Sequence, residues 1–149
     1  MARKTQITLR ASSAQTKLSG NEEGSAQQIG QSLKSGKPFT QLTVVLNLTA
    51  LASADVGDTL DVYIDTSHDG GTTWMNLAHF TQILGNGSIK KQVVTINGIA
   101  AAAMVTVTAD AASGAVRDIG FFDTIRYRSD IAYAGSNASF TWTLDAFVK

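Results

Sequence analysis

The sequence predicts an all-β chain: a single antiparallel domain of the β-sandwich or jelly-roll type with a polar N-terminal stretch. Three observations carry that expectation. Ala, Ser and Thr supply 20, 13 and 17 of the 149 residues and Glu occurs only at positions 22 and 23, so long helix formers are scarce while Thr and Val abound. Apolar residues recur at every second position in several short runs, the period of a half-buried strand. Turn residues break these runs about every 8–12 positions, a spacing typical of sandwiches.

The elements follow in order. Ile7 and Leu9 alternate with Thr5, Thr8 and Arg10, an opening strand. Residues 11–38 are mostly Ser, Gln, Gly and Lys; they read as a polar arm or long loop with one weak strand around Ala26–Ile29. Gln41–Thr49 sets Leu42, Val44, Leu46 and Leu48 on one face. After a turn at 53–58, Leu60, Val62 and Ile64 alternate with Asp61, Tyr63 and Asp65. Trp74–Phe80 and Ile89–Ile96 are the next strands, and the Asn86-Gly87 pair reads as a hairpin turn. The Ala-rich segment 98–115, around Met104–Thr108, is read either as a strand with loose ends or as a short helix leading into one. Thr124–Arg128 and Ala138–Val148 close the chain, with Phe140, Trp142 and Leu144 on one face. A chain of this length is expected to be one domain, 1–149, large enough to bury a core.

Composition narrows the function. With no Cys there is no disulfide framework, thiolate nucleophile or Cys-ligated zinc. Twelve basic and twelve acidic side chains argue against nucleic acid as the main partner. The longest wholly apolar run, Ile99–Val105, is far short of the ~20 residues of a membrane helix, and no apolar h-region of a signal peptide follows Met1. A soluble domain with no membrane partner is expected.

The sharpest local feature is Ser67-His-Asp-Gly-Gly-Thr-Thr-Trp74, which fits S-x-D-x-G-x-T-W at Ser67, Asp69, Gly71, Thr73 and Trp74. It resembles the Asp-box on hairpin turns of sialidases and other β-propellers. Asp69 is placed to accept backbone N–H bonds, Gly70 and Gly71 to take positive φ, and Trp74 to anchor the returning strand in the core. A propeller needs several boxes and more than twice this length, and the arginines at 3, 10, 117, 126 and 128 are scattered, so the motif reads as a structural turn without glycosidase activity.

Other polar constellations read as structural too. Asp61 and Asp65 fall opposite the apolar face of their strand and are expected to be solvated; a calcium site with Asp58 and Asp69 lacks the usual loop spacing. His68 and His79 have no HExxH context or third ligand. No G-x-S-x-G and no phosphate-binding glycine loop occur. Lys90-Lys91 and Arg126-x-Arg128 are small basic clusters, read as solvated sheet faces ahead of a nucleic-acid patch. No catalytic residue, metal or cofactor is assigned, and the chain is expected to act by contact, not as an enzyme.

The stretch Leu60–Phe80, with the opening Ala2–Leu9 and the closing Ser139–Leu144, resembles small virion structural proteins of tailed bacteriophages, while the Ala-rich segment 98–120 departs from them. The resemblance implies a capsid decoration (cement) protein or a related head or tail accessory protein, trimeric at symmetry points of the shell. It would bind the major capsid protein, be made in the host bacterial cytoplasm and sit on the capsid surface. The polar stretch Ser12–Lys37 would be an ordinary surface loop or would order along a neighbouring subunit. Two alternatives stand beside it: a carbohydrate-binding β-sandwich using Tyr63, Trp74, Tyr127 or Trp142, and a tail-tube or head–tail connector subunit.

Overall fold

The computed structural model describes residues 5–29, 39–52, 57–88, 90–98, 104–134 and 138–149. Ten strands run through them: β1 (Thr5–Thr16), β2 (Glu22–Glu23), β3 (Gln27–Gln28), β4 (Gln41–Ala52), β5 (Thr59–Ser67), β6 (Met75–His79), β7 (Ile83–Leu84), β8 (Lys91–Asn97), β9 (Thr124–Ala132) and β10 (Ser139–Val148). They form two antiparallel sheets. One has the order β1-β10-β4-β8; the other has β2-β9-β5-β6, with β3 added to β9 and β7 to β5. The β-sandwich expected from period-two alternation is the fold observed.

Alternation fills the space between the sheets. Leu42, Val44, Leu46 and Leu48 of β4 face inward with Phe140, Trp142, Leu144, Ala146 and Val148 of β10; Leu60, Val62, Ile64, Ile125, Tyr127 and Ile131 meet them from the second sheet. Each fully buried Leu, Ile or Phe contributes about 1.5–3 kcal/mol, so these rows are the main source of stability. The other face of the first sheet carries the threonines: Thr43 bonds Thr95 at 3.1 Å and Thr8 donates to Asp145 at 3.0 Å.

Three elements differ from the sequence reading. The polar stretch is strand rather than loop over 11–16, where β1 continues along β10 through two register shifts, and β2 adds an unexpected pairing to the edge of β9, beside β3 in the place of the weak strand expected around Ala26–Ile29; residues 30–38 lie outside the described ones. The Asn86-Gly87 turn closes no hairpin. Gly87 N donates to Leu84 O at 2.9 Å, but β7 pairs with β5 while β8 pairs with β4, so the turn is a corner between sheets. Residues 104–115 are neither strand nor helix, and 99–103 lie outside the described residues.

The polar stretch is ordered by bonds that composition conceals. Arg10 is buried; its guanidinium meets Glu22 at 2.6 and 2.8 Å, donates to the carbonyls of Ser13 and Trp142 at 3.0 and 2.7 Å, and lies 4.0 Å above the Trp142 ring. Gln15, also buried, accepts from Trp142 Nε1 at 3.2 Å and Ser129 Oγ at 2.9 Å, and donates to Gly20 O at 2.9 Å. The Tyr127 hydroxyl donates to Glu22 at 3.3 Å, and burial first, then the Glu22 charge, raise its pKa. Gly24 fits here because a Cβ would stand 2.3 Å from the Tyr127 ring.

Arg10 thus joins the two sheets through charge, carbonyl and ring contacts at once. Arg10→Ala strands the partly buried Glu22 carboxylate and two carbonyls. Urea denaturation is expected to show a loss of about 3 kcal/mol, with a smaller loss for Glu22→Gln.

Candidate functional site

Two places concentrate polar side chains on the second sheet: the β5–β6 turn and the face turned away from the core. At the turn, Ser67 Oγ donates to Asp69 Oδ1 at 2.8 Å and accepts from Gly71 N at 2.9 Å, while Thr73 N donates to Asp69 Oδ1 at 2.7 Å. Gly70 and Gly71 have φ of 71° and 101°, where a side chain is strained. Backbone and side-chain hydrogen bonds from Thr73, then Ser67, hold the Asp69 carboxyl well below its ordinary pKa of 3.8. Trp74 departs from expectation. It is half-buried, outside the core, with the Arg126 guanidinium 4.4 Å from its ring centre.

The outer face was expected to be solvated, and it is covered. Residues 110–117 run across it as a strap sewn to β6: His79 N donates to Ala115 O, Gly114 N to His79 O and Arg117 N to Leu77 O, all at 2.9–3.0 Å. Asn76 accepts from Ala111 N at 2.8 Å. Beneath the strap Asp65 is 2% exposed. Its oxygens receive Arg126 Nε at 3.1 Å, Arg128 Nε at 2.6 Å, Arg128 Nη2 at 3.2 Å and Asn76 Nδ2 at 3.2 Å. Arg128 reaches on to Asp110 of the strap at 2.6 Å, and Arg126 pairs with Glu23. Burial alone would lower the Arg128 pKa, but its bonds to Asp65 and Asp110 and their charges raise it.

His79, the second histidine, lies in the same layer. Its Nδ1 donates to Ala111 O at 2.9 Å, its Nε2 faces Asp61 Oδ1 at 2.8 Å, and its ring stacks on Tyr63 at 4.2 Å. Gln82 donates to the other Asp61 oxygen at 2.8 Å. Burial and the carboxylates of Asp61, Asp130 and Asp110 push the Tyr63 hydroxyl up to about 12. Asp130, beside them, is also raised, by burial first. Asp58 accepts from Ala134 N at 2.9 Å. Asp58, Asp61, Asp65 and Asp69 are therefore parted among four different tasks, and among the described residues no cluster of three or more ligating side chains could hold a metal.

A pocket of about 250 Å³ opens between strap and sheet, lined by Asp65, Trp74, Asn76, Asp110, Arg126 and Arg128 together with 107–109. Its two cations and two carboxylates are paired with one another, so its charge cancels. The arrangement is suited to fastening a strap to a sheet. The cross-strand pair Asp65↔Arg126 could have been anticipated from opposite charges on two outward faces, once β5 and β9 are known to be neighbours.

No protein-family model and no curated protein matches the chain. Among solved structures, a chain in the structure of infectious bursal disease virus, Gx strain, is similar over 98% of this chain at 14% identity and a TM-score of 0.47. This chain spans 31% of that one's length. Among the described residues no helix is long and apolar enough to cross a membrane.

Two tests follow from this geometry. Asp65→Ala leaves two largely buried guanidinium groups short of their shared anion and is expected to cost about 3–5 kcal/mol in chemical denaturation. Asp69 has a folded-state pKa below its unfolded value, so its contribution is present above about pH 4 and fades as pH falls toward the folded-state value. Asp69→Asn should therefore unfold at lower urea than the parent chain at pH 7, and the gap between their midpoints should narrow at about pH 3.

Proposed function

We propose that this protein is a non-enzymatic virion component of a tailed bacteriophage: a capsid decoration protein that binds the outer surface of the major capsid protein as an oligomer, with a homotrimer as the form implied by the family resemblance. One observation carries the reading that it works by contact. The polar groups that chemistry would use, Asp61, Asp65, Asp69, His79, Arg126 and Arg128, are all engaged in holding turn, sheet and strap. Large apolar side chains are what the surface offers: Leu18, Val93, Met104, Val105, Phe122 and Tyr133 are exposed.

The composition is in keeping with the reading on chemical grounds. A shell assembled in a bacterial cytoplasm has no need of disulfides, and this chain has no Cys. Many weak contacts repeated over a symmetric shell stabilise it by mass action. A chain without net charge crowds against its copies without long-range repulsion.

The carbohydrate-binding alternative draws on the half-exposed Trp74 beside its pocket, but Arg126 covers the ring, and Tyr63, Tyr127 and Trp142 are buried. Purified particles provide the test. The protein is expected to co-purify with them in a copy number set by shell symmetry and to be lost without opening the shell. Absence from purified particles removes the proposal. Binding on a glycan array, or rings of higher order than three in negative-stain images, would favour the sugar-binding or tail-tube alternatives respectively.

A further inference from the structure

Among the described residues, strand β8 is the last strand of its sheet and pairs with β4 alone. The direction of its unused backbone groups follows from hydrogen bonds at its two ends. Leu48 N donates to Lys90 O at 3.0 Å, and Gly98 N donates to Thr40 O at 2.8 Å. Between them the register is unbroken, from Asn47↔Lys91 to Gln41↔Asn97. In an antiparallel ladder directly opposed residues are hydrogen-bonded alternately. Gln92, Val94 and Ile96 therefore bond to β4, while Lys91, Val93, Thr95 and Asn97 point their N–H and C=O groups away from the sheet. All four of these residues are exposed, Val93 by 61%.

Beside this edge runs a groove of about 140 Å³ whose walls include Val93, Val94, Gly114 and Val116. Val116 is 47% exposed. The edge carries no proline and no inward-pointing charge, two of the devices that blunt open edges. Its only charges, Lys90 and Lys91, stand at one end.

We infer that β8 pairs with β8 of a second copy of this chain, antiparallel and about a two-fold axis at Val94. Parity leaves few registers. With Val94 opposite its own symmetry mate, Val93 meets Thr95 and Lys91 meets Asn97, and each of these pairs exchanges backbone hydrogen bonds. Centring on Val93 or Thr95 shortens the ladder. Charge selects the antiparallel sense as well: each lysine pair lies at the far end of the interface from its mate, opposite neutral Asn97, whereas a parallel in-register ladder would stack lysine on lysine. Val93 would lie beside the partner's Thr95 on the outer face, and the two copies of Val94 would meet on the inner one.

The inference stands apart from the virion reading: a two-fold contact closes as a dimer, so it is a different contact from any that would build a trimer, and it needs no capsid. The chain has no Cys, so single cysteines report geometry cleanly. In Val94→Cys the two Cα atoms of a non-hydrogen-bonded pair lie about 4.5 Å apart, within disulfide range. In Asn97→Cys the equivalent atoms are six residues apart along the ladder, about 20 Å. Mild oxidation of the folded proteins is expected to link Val94→Cys into dimers and to leave Asn97→Cys unlinked.

Val93→Pro is the companion variant. Its lost N–H is one that β4 does not use, so the monomer should keep its fold, checked by circular dichroism. Adding it to Val94→Cys should abolish the cross-link, and in sedimentation it should remove the concentration-dependent dimer of the parent chain. A parent chain that stays monomeric, equal cross-linking at both cysteine positions, or a dimer untouched by Val93→Pro would each overturn the inference.

Discussion

Asp65 is a carboxylate removed from water on the wrong side of a sheet, and much of the second half of the structure is arranged to make that tolerable. An isolated buried charge is strongly unfavourable, and pairing alone seldom offsets its desolvation unless the remaining lone pairs are also filled. Here two guanidinium groups from β9 and one amide from β6 fill them. Each of those partners is tied in turn to something else: Arg128 to Asp110, Arg126 to Glu23 and Trp74, and Asn76 to the backbone of Ala111. One anion thus aligns three strands of the sheet, holds the strap across it and fixes the edge strand β2.

The Arg10 cluster does the same work between the sheets. Both clusters set an arginine on an aromatic ring and on a glutamate from the short strand β2, and the chain has only those two glutamates. Arginine suits both places because its planar fork satisfies several acceptors at once while its face packs on a ring. The short β2, two residues long, therefore links the interior of the sandwich to its covered outer face. The polar side chains of both clusters are thus committed to holding the fold together.

The sandwich was legible because alternation is a local signal, and the rows of β4, β5 and β10 repeat it strictly. The Asp-box-like turn was legible for the same reason: Ser67, Asp69 and Gly71 bond within five residues. What could not be read were consequences of distant pairing. Asp61, Asp65, Arg126 and Arg128 look like residues of a solvated face until one knows that a strap lies over them. Trp74 looks like a core anchor until Arg126 is seen to approach its ring. The hairpin expected at Asn86-Gly87 fails because a tight turn fixes only a change of direction, not which sheet receives the next strand. Arg10 reads as a solvent-facing residue of the opening strand and Glu22 as part of a loop twelve residues on; their pairing over the buried Trp142 ring is visible only once β10 is known to lie beside β1.

The placing of β1 against β10 has a consequence in time. Thr5 faces Val148 and Thr16 faces Ser139, so the outer strand of the first sheet lacks its neighbour until β10 has been synthesised. Contacts between residues so far apart in sequence carry a large loop-closure entropy and form slowly. While the chain is still growing, β4 has only β8 beside it, and the apolar row later covered by β10 lies open. The sandwich is thus completed only once β10 has been made, and the rate of that step depends on how soon β10 finds the gap between β1 and β4.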